Sequence, residues 1–291
     1  MRWWLSLALL VASIGAAGAQ QAAGPASEPE GPFRRQIHWV PLDISGSRYL
    51  LNTVICRPAG EAPARIAIVA HGTADNRPTV NPPNCDREWA RWFLDRGFVV
   101  VYALRRGYGP TGGYYAEDIG RCGYGTDFVR IGLETARDIA ATVEYAATLP
   151  FARPQGMVLV GQSAGGWGAI AYNATPHPRV TAIVNMAGGR GGHQERRDNN
   201  NCRPELLAAA AGQFGRTATT PMLWVYSEND SFFAPAIATA LYAAYSQNGG
   251  RAEFERRGPF GNDGHRLFFG PGGSQIWGPL VARYLASRPA Q

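Results

Sequence analysis

The chain has 291 residues and a net charge of +6, and all 28 of its basic residues are arginine. Without lysine it cannot form a Schiff base, complete a Walker A phosphate loop or supply a Ser-x-x-Lys nucleophile pair. The arginines occur singly or in adjacent pairs, whereas a nucleic-acid patch needs runs of about five to eight basic residues, so no nucleic-acid partner is expected.

Residues 1–19 have the pattern of an export signal. Arg2 precedes an apolar stretch over residues 3–14, and Ala17-Gly18-Ala19 gives a small-residue cleavage pattern. We expect cleavage after Ala19, a periplasmic or secreted product and no stable membrane association afterwards. An uncleaved anchor is the alternative, although the stretch is shorter than the roughly 20 residues of a membrane span. The composition of residues 20–32 predicts a flexible leader before a domain over residues 33–291.

Short apolar runs alternate with helical patterns along that domain. The first runs, at residues 37–42 and 49–56, predict an antiparallel hairpin. Later runs predict strands buried on both faces, at residues 65–70, 98–104, 157–160, 180–186 and 221–226. Helices are predicted at residues 86–96, 135–149, 167–173, 235–247 and 274–286. This alternation predicts one doubly wound α/β sheet.

One connection is longer than the rest. Residues 188–220 separate two predicted strands, and loops of this length inside a domain are uncommon. We therefore predict a small insertion over the sheet edge.

The segment Gly161-Gln162-Ser163-Ala164-Gly165 lies between a predicted strand and a predicted helix. In this context Gly-x-Ser-x-Gly predicts a sharp strand-to-helix turn that lifts the serine hydroxyl above the sheet, beside a helix N-terminus. Ser163 is therefore the candidate nucleophile.

A serine hydroxyl needs a base, and in this architecture an acid and then a histidine follow the serine along the chain. His265 is the candidate base, because no other histidine after Ser163 follows the acidic group that ends the strand at residues 221–226. Asp230 is the candidate acid and Glu228 the alternative. Asp263 is less suitable, because a separation of two residues restricts its approach to the far ring nitrogen.

The tetrahedral intermediate of acyl transfer needs N–H donors for its oxyanion. The candidates are the backbone N–H groups of Ala164, which follows the nucleophile, and Thr73, in the loop after the strand at residues 65–70. His71 in that loop is interpreted as structural.

Two loops are candidates for contact with substrate. The loop at residues 105–125 carries Tyr108, Tyr114 and Tyr115, which could stack on an acyl group or form hydrogen bonds with it; packing on the surface is the alternative. In the predicted insertion, Arg190 could bind a substrate carboxylate and His193 could touch substrate, or both could be solvated. A further histidine, His177, lies between two prolines and predicts a surface turn.

The four cysteines of an exported chain are candidates for disulfides. Cys122 and Cys202 are the favoured pair, because their loops are expected to leave the same sheet edge. Cys85 could replace either partner, and Cys56 could remain a buried thiol. The spacing matches no zinc pattern, so neither a metal nor a cofactor is expected.

These segments together resemble the α/β-hydrolase superfamily over about residues 37–287. The similarity is closest to dienelactone-hydrolase-like, secreted-esterase and prolyl-oligopeptidase-type hydrolases. It is carried by His71-Gly72, Arg105-Arg106-Gly107-Tyr108-Gly109, Gly161-Gln162-Ser163-Ala164-Gly165-Gly166, Glu228-Asn229-Asp230 and Gly264-His265. The resemblance implies a mostly parallel eight-stranded sheet flanked by helices, with Ser163, Asp230 and His265 as a triad. The nucleophile of true dienelactone hydrolases is cysteine, which argues against dienelactone as the substrate here.

The predicted function is an exported serine hydrolase that cleaves a small-molecule carboxylic ester through an acyl-enzyme on Ser163. A peptidase or amidase of prolyl-oligopeptidase type is one alternative. A non-catalytic binding protein on the same fold is another.

Overall fold

The computed structural model of the protein describes residues 21–175 and 178–288. The predicted export signal, its cleavage site and His177 lie outside these ranges. Within them, no helix has the length and apolar character that a membrane span requires.

A nine-stranded sheet forms the centre of the described chain, in the order β1-β2-β3-β5-β4-β6-β7-β8-β9. Its strands are β1 Gly24–Pro25, β2 Gln36–Ile44, β3 Ser47–Cys56, β4 Arg65–Ala70, β5 Phe98–Ala103, β6 Met157–Gln162, β7 Val180–Met186, β8 Met222–Ser227 and β9 Ala252–Arg257. The pairs that involve β1, β2 or β3 are antiparallel, and all the others are parallel. The predicted mostly parallel α/β sheet is confirmed, with the two-residue β1 as a ninth strand beyond the eight expected.

Helices cover both faces of this sheet and bury its apolar strands. They are α1 Glu88–Leu94, α2 Phe128–Ala146, α3 Ala164–Asn173, α4 Pro204–Gly215, α5 Pro235–Gln247 and α6 Gly273–Ala286. Side chains from α2, α3, α4 and α5 share one apolar core, and side chains from α1 and α6 share the core on the opposite face. Apolar strand residues contribute to both cores. Because the central strands are buried on both faces, their sequences are continuous apolar runs.

Three elements differ from the sequence prediction. The predicted insertion over residues 188–220 contains α4, an ordinary crossover helix, so only residues 188–203 form an excursion. β9 was not predicted, because its sequence Ala-Glu-Phe-Glu-Arg-Arg is polar and half-exposed at the sheet edge. α2 begins seven residues earlier than predicted, where the Asp127 side chain accepts a hydrogen bond from the Arg130 N–H at 2.9 Å.

Part of the predicted flexible leader lies against the sheet. Gly24 and Pro25 pair with Trp39 and His38 of β2. The Ala26 N–H also donates to the Ile37 carbonyl at 2.7 Å. These bonds satisfy backbone groups that would otherwise be unpaired at the edge of β2. Composition alone could not show this pairing.

Two disulfides join segments that are distant in sequence. The favoured pair Cys122–Cys202 is present, with its Cα atoms 5.7 Å apart. Cys56 and Cys85 form the second bridge at a Cα separation of 5.8 Å, so the interpretation of Cys56 as a free thiol is wrong. No free cysteine occurs in the described ranges. Two disulfides are typical of proteins that fold in an oxidising compartment.

Candidate active site

Ser163 lies on a strained turn between β6 and α3. Its backbone has φ 53° and ψ −119°, a region that non-glycine residues rarely occupy. Its N–H donates to the Met186 carbonyl at 3.0 Å, which fixes the turn against β7. A Cβ on Gly161 would overlap the carbonyl of Gly165. A Cβ on Gly165 would overlap the carbonyl of Ala70, so both glycines of the motif are required by the close approach of α3 to the strands.

His265 and Asp230 form a hydrogen-bonded pair at the ends of neighbouring loops. His265 Nδ1 lies 3.1 and 3.0 Å from the two carboxylate oxygens of Asp230. Asp230 is 1% exposed, and its Oδ1 also accepts the N–H groups of Phe232 and Phe233 at 2.8 and 2.9 Å. A carboxylate at Nδ1 favours the tautomer that carries a proton there, which leaves Nε2 able to accept one.

The other acids near His265 have different positions. Glu228 is exposed to solvent. Asp263 Oδ1 accepts the N–H groups of His265 and Ser231 at 2.9 and 3.0 Å, so it links the histidine loop to the Asp230 loop. From the other side, the Gln162 amide donates to the His265 carbonyl at 3.1 Å. The supporting roles of Gln162 and Asp263 were missed, since neither residue type nor spacing indicates them.

Ser163 and His265 line one pocket of about 290 Å³. Its other lining residues are Thr73, Tyr115, Asp118, Ile119, Gln162, Gly189, Arg190, Gly191, Gly192, Phe232 and Phe233. The walls come from the loop after β5 on one side and from the start of the 188–203 excursion on the other. Ligand pockets in proteins are commonly about 300–1,000 Å³, so this one suits a small group.

Of the residues predicted to contact substrate, Tyr115 and Arg190 border the pocket and three others do not. Tyr108 is fully buried, with its ring edge-on to His71 at 4.5 Å between centroids. Tyr114 is 54% exposed, and its hydroxyl accepts from Arg106 at 3.1 Å. The His193 ring stacks at 3.5 Å on Phe232, which in turn stacks at 4.2 Å on His265. His193 thus packs against Phe232, a residue of the pocket wall, without lining the pocket itself.

The predicted oxyanion donors belong to two different segments, the start of α3 and the loop after β4. Ala164 is the first residue of α3, and the first N–H groups of a helix have no partner within it. Thr73 lines the pocket with Ser163. A Cβ on Gly72 would overlap the side-chain oxygen of Gln162 and lie 3.1 Å from the Ser163 Cβ. The small size of Gly72 therefore lets the loop approach Ser163 without displacing the Gln162 side chain.

His71 fixes this loop as a neutral ring, in agreement with its structural interpretation. Its Nδ1 lies 2.7 Å from the Gly72 carbonyl, and its Nε2 accepts the Arg105 N–H at 3.2 Å. Burial, with a further contribution from the Arg105 charge, lowers the pKa of His71 to about 3.

This shift makes stability depend on pH. Unfolding returns the His71 pKa from about 3 to 6.5, the ordinary value for histidine, so between these values the unfolded chain binds one more proton. The stabilisation is fully present above pH 6.5 and is lost as pH falls towards 3. We expect the slope of unfolding free energy against pH, measured by urea titration from pH 7 to 4, to be shallower in His71→Asn by at most about 1.4 kcal/mol per pH unit. An unchanged slope in this variant would contradict the assignment.

A buried ionic cluster lies beneath the same loop. Arg105, Glu117 and Arg190 are 2%, 1% and 6% exposed. Burial alone would raise the pKa of Glu117, but the charges of Arg105 and Arg190 outweigh it and hold that pKa at about 2. The carboxylate therefore stays ionised between two guanidinium groups. The sequence does not indicate this role of Glu117, because a single glutamate in a glycine-rich loop is usually exposed to solvent.

Comparisons with known proteins support the hydrolase fold. The family model of the prolyl oligopeptidase family (peptidase S9) matches residues 86–188, less than half of the chain. That segment contains Ser163 but neither Asp230 nor His265. No curated protein sequence matches the chain.

Several solved structures share the fold at low sequence identity. Acylaminoacyl peptidase from Pyrococcus horikoshii is 15% identical with a TM-score of 0.62; the match covers 87% of this chain and 41% of the peptidase. Acetyl xylan esterase 1 from Thermoanaerobacterium sp. is 16% identical with a TM-score of 0.58, covering 89% of this chain and 84% of the esterase. A protein from Klebsiella pneumoniae assigned as a dienelactone hydrolase is 15% identical with a TM-score of 0.59, covering 88% and 99%. The chain thus spans about two fifths of the peptidase.

Proposed function

The chain has the α/β-hydrolase fold, and we propose that it is an exported serine hydrolase that cleaves small carboxylic esters through an acyl-enzyme on Ser163. One observation carries the proposal. Ser163, on its strained turn, borders the same pocket as His265, whose Nδ1 lies 3.0 Å from a buried carboxylate oxygen of Asp230. Fold alone would not support an activity, because the same fold hosts many functions.

The chemistry follows from these positions. His265 Nε2 takes the Ser163 proton as the hydroxyl oxygen attacks the ester carbonyl carbon, and Asp230 stabilises the resulting imidazolium. The N–H groups of Ala164 and Thr73 hold the oxyanion of the tetrahedral intermediate. Collapse expels the alcohol, which takes the proton from His265, and water then repeats the sequence to release the acid.

The choice of ester over amide rests on the pocket and on the kinds of protein that share the fold. The pocket of about 290 Å³ has apolar walls that include Ile119, Phe232 and Phe233, which suit a short acyl group. Acetyl xylan esterase 1 and a protein assigned as a dienelactone hydrolase are among the solved structures that share the fold, which supports an ester as the substrate. Peptidase or amidase activity is the second candidate, favoured by the prolyl oligopeptidase family match.

Export is part of the proposal and is supported by two features. The first nineteen residues carry the sequence pattern of a cleavable signal. The two disulfides fit an oxidising compartment.

The test compares esters with amides on the purified protein. We expect p-nitrophenyl acetate and butyrate to be hydrolysed, the matching p-nitroanilides to be hydrolysed far more slowly, and a fluorophosphonate probe to label Ser163 in peptide mapping. Hydrolysis of the p-nitroanilides faster than the p-nitrophenyl esters would support the amidase alternative instead. Folded protein that neither reacts with the probe nor turns over either substrate would indicate the binding protein.

A further inference from the structure

The loop His71–Thr73, here named the oxyanion loop, is held at both ends by arginines that share one carboxylate. At its first residue, Arg105 Nη1 donates to the His71 carbonyl at 2.6 Å. At its last residue, Arg190 Nη1 donates to the Thr73 hydroxyl oxygen at 2.8 Å. Both guanidinium groups contact the carboxylate of Glu117.

Arg190 has its terminal donors occupied by the protein. Its Nη1 contacts Thr73 and, at 3.5 Å, the Glu117 carboxylate; its Nη2 donates to the Tyr115 hydroxyl at 2.9 Å and to the Glu117 carbonyl. Its Nε is buried, with no hydrogen-bond partner among the described residues. A substrate carboxylate is bound by arginine through two parallel N–H groups. In Arg190 the pair that would do this is already engaged, although the residue borders the pocket.

We propose that Arg190, fixed by Glu117, is a positioning residue that sets the Thr73 N–H for the oxyanion. This inference rests on the proposed function. The Thr73 hydroxyl is attached directly to Cβ, so a charge-assisted bond to it restrains the side-chain torsion and the adjacent backbone. The oxyanion donor must be in place before charge develops, because a preorganised group needs no reorganisation during reaction.

The disulfide adds a second restraint on the same parts. Glu117 belongs to the segment that carries Cys122, and Arg190 belongs to the segment that carries Cys202. The Cys202 N–H donates to the Gly191 carbonyl at 2.8 Å, one residue from Arg190. The Glu117 carboxylate and the Arg190 guanidinium are thus held together by an ion pair, and the disulfide joins the two segments that carry them.

The experiment measures kcat and KM separately for a neutral and an acidic ester, p-nitrophenyl acetate and mono-p-nitrophenyl succinate. Thr73→Val keeps the backbone N–H and the branched shape but removes the acceptor. We expect it to lower kcat and kcat/KM together by about 10-fold to 100-fold on both esters, with little change in KM. Thr73→Ser restores an acceptor and should recover most of the lost rate. Arg190→Gln should lower kcat and kcat/KM on both esters in the same way as Thr73→Val, with little change in KM.

The matched control is Arg197→Gln, an arginine of the same excursion whose side chain is 74% exposed, which should leave both constants unchanged. Thermal unfolding of Thr73→Val verifies that the variant is folded. Full kcat in that variant would overturn the proposal. So would Arg190→Gln with an intact kcat and a raised KM for the succinate ester alone, since that pattern assigns Arg190 to a substrate carboxylate. If the wild-type protein has no turnover and no fluorophosphonate labelling, the proposed function fails instead.

Discussion

Replacing Ser163 with alanine is expected to abolish ester turnover, with a loss in kcat on the order of 10⁶-fold. The variant removes the oxygen that attacks the carbonyl carbon, while the alanine methyl group keeps the space that the serine Cβ occupies between β6 and α3. The measurement is the steady-state rate on p-nitrophenyl acetate together with fluorophosphonate labelling. Both signals should disappear, because each requires the same hydroxyl.

The control is Ser246→Ala in α5, whose hydroxyl is buried without a hydrogen-bond partner in the described part of the chain. It makes the same chemical change far from the pocket and should retain wild-type turnover and labelling. If Ser163→Ala still hydrolyses the ester at the wild-type rate, the activity belongs to another site.

Replacing Asp230 with asparagine is expected to reduce kcat by about 10⁴-fold. The new side-chain oxygen can still accept the N–H groups of Phe232 and Phe233. The amide nitrogen then faces His265 Nδ1 as a donor, so Nδ1 must act as an acceptor. The ring proton therefore moves to Nε2, and Nε2 can no longer accept the proton of the Ser163 hydroxyl. The variant should therefore keep its fold while His265 has the tautomer that cannot act as a base towards Ser163. Steady-state kinetics and thermal unfolding on the same sample measure these two effects separately.

Glu228→Gln is the matched control, because Glu228 ends the same strand region but is exposed. Its turnover should equal that of the wild type. The opposite ranking, with Glu228→Gln inactive and Asp230→Asn active, would show that the loop rearranges before catalysis and that Glu228 is the acid.

Most of the fold could be predicted because its central strands are buried on both faces. Val180–Met186 and Arg65–Ala70 have the bounds predicted from their apolar runs. α5 Pro235–Gln247 was also predicted to the residue, because a proline begins it and glycines follow it. β9 and the paired part of the leader could not be predicted in this way. Both are edge elements that pair with a neighbour on one side only, and neither has the continuous apolar run of a strand buried on both faces.

The residues of the candidate site also fall into a group that the sequence predicts and a group that it does not. Ser163, Asp230 and His265 could be chosen from residue type, chain order and position after strands, and the structure brings the acid and the base together. The residues that support them could not be chosen. Glu117 and Arg105 are separated by twelve positions in a glycine-rich loop, and their mutual burial depends on how that loop folds. Tyr108 was expected at the pocket because of its neighbours in sequence, whereas its ring packs inward on His71.

The Cys122–Cys202 bridge sets a limit on how the mouth of the pocket can be redesigned. The bridge lies three residues after Ile119 on one rim, and on the other it is hydrogen-bonded to Gly191, so the two rims cannot separate to admit a larger acyl group. Lengthening either loop would leave this covalent closure in place. The range of acyl lengths that the protein accepts should therefore change when a side chain that lines the pocket is made smaller, as in Ile119→Ala. Insertions into the loops outside the disulfide should change it very little.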